Sequence, residues 1–192
     1  MHSASTLSID AATGLVLGVR QVLSTNFDAR PAGTEPSLLV VHGISLPPNE
    51  FGGPWIDRLF TGALPSAAHP YFKQIEGLKA SAHALIRRDG QIVQYVPFHL
   101  RAWHAGQSEY QGRQGCNDFS IGIELEGADD TPYAEAQYPQ LALLCAALLR
   151  TYASLSAPAI VGHSDISPGR KTDPGPSFDW GRFRAQLSQL RA

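Results

Sequence analysis

Short apolar runs alternate with longer helical patterns along this chain, and this alternation limits its fold more than any other feature. Residues 80–86 and 91–96 flank an Asp-Gly pair, which is a strong hairpin signal. The other predicted elements are strands over residues 38–42, 119–125 and 159–161, and helices that begin near Pro54, span residues 137–155 and close the chain. Strands separated by helices predict an α/β fold with a central mixed sheet flanked by α-helices.

The length of the chain favours a single main domain. At 192 residues it can bury a sizeable core, and it has neither internal repeats nor a low-complexity linker. We assign residues 1–24 to an N-terminal extension packed on or near the domain, and residues 25–192 to the functional domain. We predict a monomer.

Charge and composition exclude several classes of partner. The formal net charge is -2 and the pI is about 6.4, so nothing attracts the whole chain to nucleic acid or to an anionic membrane. No Lys or Arg precedes the mildly apolar stretch near the N-terminus, so we predict no secretory signal and a cytoplasmic location. The spacing of Cys116 and Cys145 fits neither a zinc finger nor a redox pair, which predicts free thiols.

Two histidines and one aspartate stand where a metal ion could bind. His42 ends the first predicted strand, and His163 and Asp173 belong to one short loop. Asp173 precedes a proline, which favours an extended backbone, and Ser177 is the better candidate to cap the last helix. Two imidazoles and a carboxylate form a plausible ligand set for one zinc ion per chain, with a fourth position open for water, as in catalytic sites.

The predicted strand over residues 119–125 carries two candidate catalytic carboxylates. A period of two places Gly122, Glu124 and Glu126 on one face, so parity does not choose between the two glutamates. Gly122 would leave room beside Glu124 for a substrate to approach. Lys171 lies two residues before Asp173, so in an extended loop both side chains could lean toward the same face.

Seven segments, taken in order, resemble AmpD-type N-acetylmuramoyl-L-alanine amidases. They are residues 26–31, 37–48, 51–57, 81–83, 101–106, 116–127 and 170–176. The resemblance implies a fold similar to phage lysozyme-type amidases and peptidoglycan recognition domains. It also implies zinc ligands at His42, His163 and Asp173, with Glu124 rather than Glu126 as the catalytic carboxylate. Our own chemical interpretation is that Glu124 acts as the general acid/base and that Lys171, together with zinc, stabilises the tetrahedral oxyanion.

The resemblance further implies a substrate. This is the amide bond between N-acetylmuramic acid and L-alanine, within 1,6-anhydro-muropeptides recycled from the cell wall in the cytoplasm. Clearing these muropeptides also silences β-lactamase induction in bacteria that sense them. Trp103 and His104 could offer an aromatic face and a donor to the sugar. Lys79, Arg88 or Arg170 could meet the carboxylates of the peptide, and the sequence does not choose among them. Tyr71 and His83 could line the cleft or pack beneath it.

Two positions depart from the family pattern, and two other functions stay open. Gly43 and Gly115 stand where the pattern has Asn and Arg, so contacts with the sugar could differ. One alternative is a recognition module that holds muropeptides without cutting them. The other is a zinc peptidase that cuts within the stem peptide.

Overall fold

The structure is a computed structural model that describes residues 6–191. Residues 1–5, which begin the predicted N-terminal extension, and Ala192, the end of the predicted functional domain, lie outside the described residues. Within the described range no helix is long and apolar enough to cross a membrane.

The elements alternate along the chain much as the hydrophobic pattern predicts. The strands are β1 (Ile9–Asp10), β2 (Leu15–Val16), β3 (Arg20–Gln21), β4 (Phe27–Asp28), β5 (Leu38–Ile44), β6 (Ala84–Ile86), β7 (Ile92–Gln94), β8 (Arg101–Ala102), β9 (Glu109–Tyr110), β10 (Arg113–Gln114), β11 (Ser120–Glu126) and β12 (Ile160–Gly162). The helices are α1 (Trp55–Phe60), α2 (Pro70–Gln74), α3 (Gln137–Thr151), α4 (His163–Ile166) and α5 (Trp180–Gln189).

Six strands form a central mixed sheet in the order β12-β5-β11-β6-β7-β3. The four strands from β12 to β6 run parallel, and β7 turns back antiparallel to β6 as the second arm of the predicted hairpin. Strands β5 and β11 pair along seven residues, which sets Glu124 beside His42. Because the strands are parallel, their carboxyl ends meet at one edge of the sheet, and both side chains lie there.

Helices cover both faces of this sheet, so the predicted fold class is confirmed. On one face, alternate residues of β11 pack against α3 and α5, and the cluster includes Ile121, Ile123 and Phe183. On the other face, α1 and α2 cover the hairpin strands through a second buried cluster. His42 and Glu124 belong to this second face, opposite α3 and α5.

Three local expectations need correction. The predicted helix 137–155 ends at Thr151, and the strand expected over residues 159–161 begins one residue later, after a short 3-10 turn. The last helix is capped by Asp179 rather than Ser177, since the Asp179 side chain accepts a hydrogen bond of 2.8 Å from the Arg182 amide.

The N-terminal extension contributes to the main fold. Strand β3 forms the outer strand of the central sheet, and Val16 is fully buried in the cluster under α3. The Gln94 side chain accepts from the Val16 amide at 2.7 Å and donates to the Gly14 carbonyl at 2.9 Å. These contacts tie the extension to β7.

Candidate metal centre and substrate cleft

The atoms of three predicted ligands converge at the carboxyl edge of the sheet. His42 ends the buried part of β5, His163 opens α4 directly after β12, and Asp173 lies in the loop that follows. The Nδ1 atoms of His42 and His163 are 3.0 Å apart. Asp173 Oδ2 lies 3.2 Å from the first of these nitrogens and 3.1 Å from the second. Residues far apart in sequence thus form one compact triangle.

This triangle fits a tetrahedral metal ion. Zinc bonds to nitrogen and oxygen are about 2.0–2.2 Å long, so the ligand atoms of a tetrahedral site lie about 3.3–3.6 Å apart. The observed separations are only slightly shorter. Burial also lowers the pKa of His42 to about 4, so its imidazole is neutral at neutral pH and offers a lone pair.

The aspartate of the triangle is held in its ionised form and in place. Burial opposes its charge, but contacts with His163 and His42 hold the pKa of Asp173 well below its usual range. The Asp173 carbonyl accepts from the Ser164 amide at 3.0 Å. The Tyr133 hydroxyl donates to the Pro174 carbonyl at 2.9 Å. The loop therefore presents its carboxylate from a fixed backbone.

Glu124 lies beside the triangle as a buried carboxyl group without a full set of partners. Its side chain is buried, and its Oε2 atom has no hydrogen-bond partner in the part of the chain that the structure describes. Burial, with a contribution from Asp173, raises the pKa of Glu124 well above its ordinary value, and Lys171 opposes this rise. A buried polar atom left unpaired is unfavourable, and such groups are typical of functional sites.

Glu126, on the same face of β11, is fully engaged in structural contacts. Its Oε1 atom accepts from the Gly52 amide at 2.6 Å, and its Oε2 atom accepts from the Arg88 amide at 3.2 Å. It therefore anchors the β5–α1 loop and the β6–β7 turn. The two glutamates that the sequence could not separate by parity have different environments.

A cavity of about 780 Å³ opens over the triangle. Its lining includes both proposed catalytic residues, Glu124 and Lys171, and four of the residues expected to meet substrate: Tyr71, Trp103, His104 and Arg170. The Trp103 indole donates to Asp28 at 3.2 Å, which orients its ring. Arg170 donates from Nη2 at 2.7 Å to the Ala105 and Gln107 carbonyls and to Ser167 Oγ, so part of its guanidinium is already engaged.

Two other expected substrate residues lie away from this cavity. His83 is fully buried beside β11, where its Nδ1 atom accepts from the Gly122 amide at 3.0 Å. Lys79 is exposed and lines a neighbouring cavity of about 390 Å³, which shares Trp103 with the first.

The glycines near the site lie against side chains rather than open space. A Cβ atom on Gly122 would lie 2.4 Å from His104 Cγ, so the ring of His104 fills the room that the sequence suggested for substrate. A Cβ atom on Gly43 would lie 2.2 Å from the Tyr133 hydroxyl oxygen. Gly115, the other departure from the family pattern, has a φ of 72° and does not line the main cavity.

Sequence reasoning missed the residues that surround the ligands. Ser120 contacts the ring of His104, Asn117 accepts from the His104 amide, and Tyr133 donates to the Pro174 carbonyl beside Asp173. Asn117 and Ser120 lie within residues 116–127, one of the seven segments that match the family, and this match was the one sign in the sequence that they could matter to the site. Their contacts follow from the packing of the sheet, which no spacing rule reveals.

Together, the helix-covered mixed sheet and the triangle of ligand atoms beside a buried carboxyl group are typical of metal-dependent hydrolases. The family model for N-acetylmuramoyl-L-alanine amidase matches residues 32–176. The chain is 61% identical over 176 residues to the 1,6-anhydro-N-acetylmuramyl-L-alanine amidase AmpD of Escherichia coli (strain K12), covering 92% of this chain and 96% of the relative.

Solved structures support the same assignment. The crystal structure of a selenomethionine AmpD derivative matches with a TM-score of 0.90 and 61% identity, covering 93% of this chain and 98% of that one. AmpDh3 from Pseudomonas aeruginosa, solved in complex with anhydromuramic pentapeptide, matches with a TM-score of 0.59 and 32% identity, covering 81% of this chain and 61% of that one.

The chain belongs to the N-acetylmuramoyl-L-alanine amidase family. The family and the enzyme class predicted from the sequence are therefore confirmed.

Proposed function

We propose that the chain hydrolyses the amide bond between 1,6-anhydro-N-acetylmuramic acid and L-alanine in muropeptides, with one zinc ion per chain. The observation that carries this proposal is the convergence of His42, His163 and Asp173 beside the unpaired carboxyl group of Glu124, under an open cavity. The relative from Escherichia coli is named for the anhydro substrate, and AmpDh3 was solved with an anhydromuramic peptide bound.

The chemistry divides between the metal site and two side chains. His42, His163 and Asp173 would hold zinc, which when bound lowers the pKa of a water ligand and polarises a carbonyl group. Glu124 accepts the proton of the attacking water and returns it to the departing nitrogen. A carboxyl group whose pKa lies above its ordinary value suits both steps near neutral pH.

Lys171 completes the proposed machinery. It lines the cavity and lies close enough to Glu124 to oppose the rise in the pKa of that carboxyl group. We propose that its ammonium group stabilises the negative oxygen of the tetrahedral intermediate. In other enzymes the loss of one such donor costs about 2.7–4 kcal/mol of transition-state stabilisation.

The expected substrate contacts divide between two cavities. Tyr71, Trp103 and Arg170 line the main cavity, and we propose that they contact the muropeptide there. Lys79 borders the neighbouring cavity, where a stem carboxylate could reach it. His83 is buried, so we propose for it a structural role beneath the site.

The proposal extends to the cellular setting. We propose that the chain acts as a monomer in the cytoplasm, on muropeptides returned during cell-wall recycling. Where bacteria use these muropeptides as a signal, this activity would silence β-lactamase induction.

The decisive experiment is mass spectrometry of the protein incubated with 1,6-anhydro-N-acetylmuramyl-tripeptide, with and without a chelator. We expect free tripeptide and intact anhydro-sugar, and loss of both products with the chelator. Binding without cleavage, with zinc shown to be present, would indicate a recognition module. Fragments cut within the stem would indicate a peptidase.

A further inference from the structure

His104 contacts a proposed metal ligand directly instead of offering its nitrogen atoms to the cavity. Its Nδ1 atom lies 2.9 Å from His42 Nε2, and its own Nε2 atom lies 3.2 Å from Ser120 Oγ. Ser120 Oγ in turn donates to the Cys116 carbonyl at 2.5 Å. Both ring nitrogens of His104 are thus engaged inside the protein.

The direction of this chain of hydrogen bonds is fixed by its last member. A carbonyl oxygen only accepts, so Ser120 donates to Cys116 and accepts from His104 Nε2–H. His104 Nδ1 then carries a lone pair and accepts from His42 Nε2–H. This leaves the lone pair of His42 on Nδ1, the atom that faces His163 and Asp173.

Ala105, the next residue along the chain, fixes the tautomer of the second imidazole, that of His163. The Ala105 carbonyl lies 3.2 Å from His163 Nε2, so that nitrogen donates and the lone pair of His163 also lies on Nδ1. The amides of His104 and Ala105 both donate to Asn117 Oδ1, at 3.1 and 2.8 Å. Two consecutive residues, held by one side chain, therefore set the tautomers of both imidazoles.

We propose that His104 is a positioning residue, which fixes the orientation and tautomer of His42 while Ala105 does so for His163. His104 then acts on the reaction through the metal ligand and not through contact with the sugar. This inference rests on the metal site of the proposed function. Outer partners of this kind typically change metal affinity about 10–100-fold when they are lost.

Two substitutions at His104 test its hydrogen-bond acceptor and its aromatic ring separately. His104→Phe keeps an aromatic ring but leaves His42 Nε2–H without its acceptor, whereas His104→Asn restores an oxygen near the position of Nδ1. We expect the zinc dissociation constant, measured by competition with a chromophoric chelator, to rise about 10–100-fold in His104→Phe. His104→Asn should recover most of this loss. The visible spectrum of the cobalt-substituted protein should change in His104→Phe and return toward wild type in His104→Asn.

Controls distinguish the possible failures. Tyr71→Phe removes a hydroxyl group from the same cavity and leaves the hydrogen bonds of His104 intact, so its zinc affinity should equal that of wild type. If wild type binds no zinc, the metal site itself is wrong. If His104→Phe binds zinc as wild type does but has a raised KM, His104 contacts substrate and the inference is overturned. Equal zinc loss in His104→Phe and His104→Asn would also overturn it.

A second route covers the case in which His104→Phe does not fold. Gly122→Ala places a methyl group where His104 Cγ lies within 2.4 Å, so the ring cannot keep the position in which its Nδ1 atom meets His42 Nε2. We expect the same fall in zinc affinity, with the melting temperature of the metal-free protein as the measure of folding. Unchanged zinc affinity in a folded Gly122→Ala protein would contradict the inference.

Discussion

At the end of β11, Glu124 and Glu126 lie on the same face of the sheet and differ in what they contact. Glu126 accepts hydrogen bonds from two backbone amides, whereas one carboxyl oxygen of Glu124 has no hydrogen-bond partner among the described residues. Glu124 lines the main cavity and Glu126 does not, so only Glu124 lies beside the proposed metal site with a carboxylate available for proton transfer. Function at this scale follows from the neighbours of a residue rather than from its type.

Glu124→Gln should abolish most turnover without removing the metal. The amide cannot accept the proton of the attacking water, and loss of a general acid/base lowers rates by about 10²–10⁴-fold. Steady-state rates on the anhydro-muropeptide, together with zinc content by elemental analysis, measure both effects. If the variant also loses zinc, Glu124 is a ligand and its proposed role is wrong.

The same variant should change how the stability of the metal-free protein depends on pH. The pKa of Glu124 is raised in the folded state above its ordinary value of 4.5, so folding holds its proton. Its contribution to the free energy of unfolding is therefore fully present below pH 4.5 and is lost as the pH rises from there to the raised pKa of the folded state. Because Gln does not ionise, Glu124→Gln removes this loss of stability at high pH.

We therefore expect Glu124→Gln to unfold with nearly the wild-type free energy at pH 4 and with a larger one at pH 8. Urea denaturation at both pH values measures the difference. A variant that is less stable than wild type at pH 8 would show that the ionised carboxylate is stabilised in the folded protein.

The sequence predicts those site residues that can be recognised from their immediate neighbours in the chain, but not the contacts they make with distant residues. His42, His163 and Asp173 stand at strand ends and in a proline-bounded loop, which are features that spacing reveals. The engagement of Glu126 depends on Gly52 and Arg88, which no pattern places near it. In the same way, the sequence suggested that His104 could offer a donor to the sugar, but its ring lies against Gly122 and its Nδ1 atom meets His42.

At the scale of elements, the loop between β5 and α1 is held by contacts to its neighbours. Glu126 accepts from the Gly52 amide, and Arg87 donates to the Gly53 carbonyl at 3.1 Å. Nearby residues of this loop, including Pro48 and Asn49, line the main cavity. The order of the loop therefore affects the shape of the cleft.

Glu126→Ala should loosen this loop while leaving the metal site in place. Hydrogen bonds to charged groups contribute about 1.5–3 kcal/mol each, so we expect the free energy of unfolding to fall by an amount of that order. Hydrogen exchange at the Gly52 and Arg88 amides should accelerate. Glu50→Ala, which removes an exposed carboxylate from the same loop, is the matched control and should change neither measurement. Equal exchange rates in both variants would show that Glu126 does not order the loop.

Long periodic elements were predictable, and short paired ones were not. The strands β5 and β11 and the helix α3 follow from runs of apolar residues at the correct period. Two-residue strands such as β3 and β4 carry no periodicity, because their existence depends on the partner strand. The five-residue helix α2 is equally short and was not expected.

At the scale of the whole molecule, the proposed metal connects distant parts of the chain. His42 and His163 are 121 residues apart in sequence, and their Nδ1 atoms are 3.0 Å apart in space. Such a site does not exist in the unfolded chain, so the free energy of metal binding adds to the free energy of folding. The stability of the protein should then depend on zinc.

Removal of zinc should lower the melting temperature. Zinc at 100 times its dissociation constant would stabilise the fold by about 2.7 kcal/mol, and 1 kcal/mol shifts the melting temperature of a domain of this size by about 2–4 °C. We expect a fall of about 5–10 °C on chelation, measured by calorimetry and reversed by added zinc. Asp173→Ala is the control, since it should melt at a temperature that no longer depends on zinc.

We propose that the described part of the N-terminal extension, residues 6–24, unfolds together with the amidase domain. Val16→Ala should lower the free energy of unfolding by about 1–3 kcal/mol, because Val16 is fully buried under α3. Leu17→Ala is the matched control. Because Leu17 is 58% exposed, this substitution should leave the free energy of unfolding almost unchanged. If Val16→Ala leaves the main transition unchanged, the extension is a separate unit.

The sheet order also bears on how the protein is made. Strand β5 lies between β11 and β12, and both partners follow it by many residues in the chain. Ribosomes add about 5–20 residues per second, so the buried strand Leu38–Ile44 emerges several seconds before either neighbour exists. During that interval its apolar side chains and both rows of backbone groups stay open to other chains. We expect the nascent chain to depend on chaperones until β12, near its end, has been synthesised.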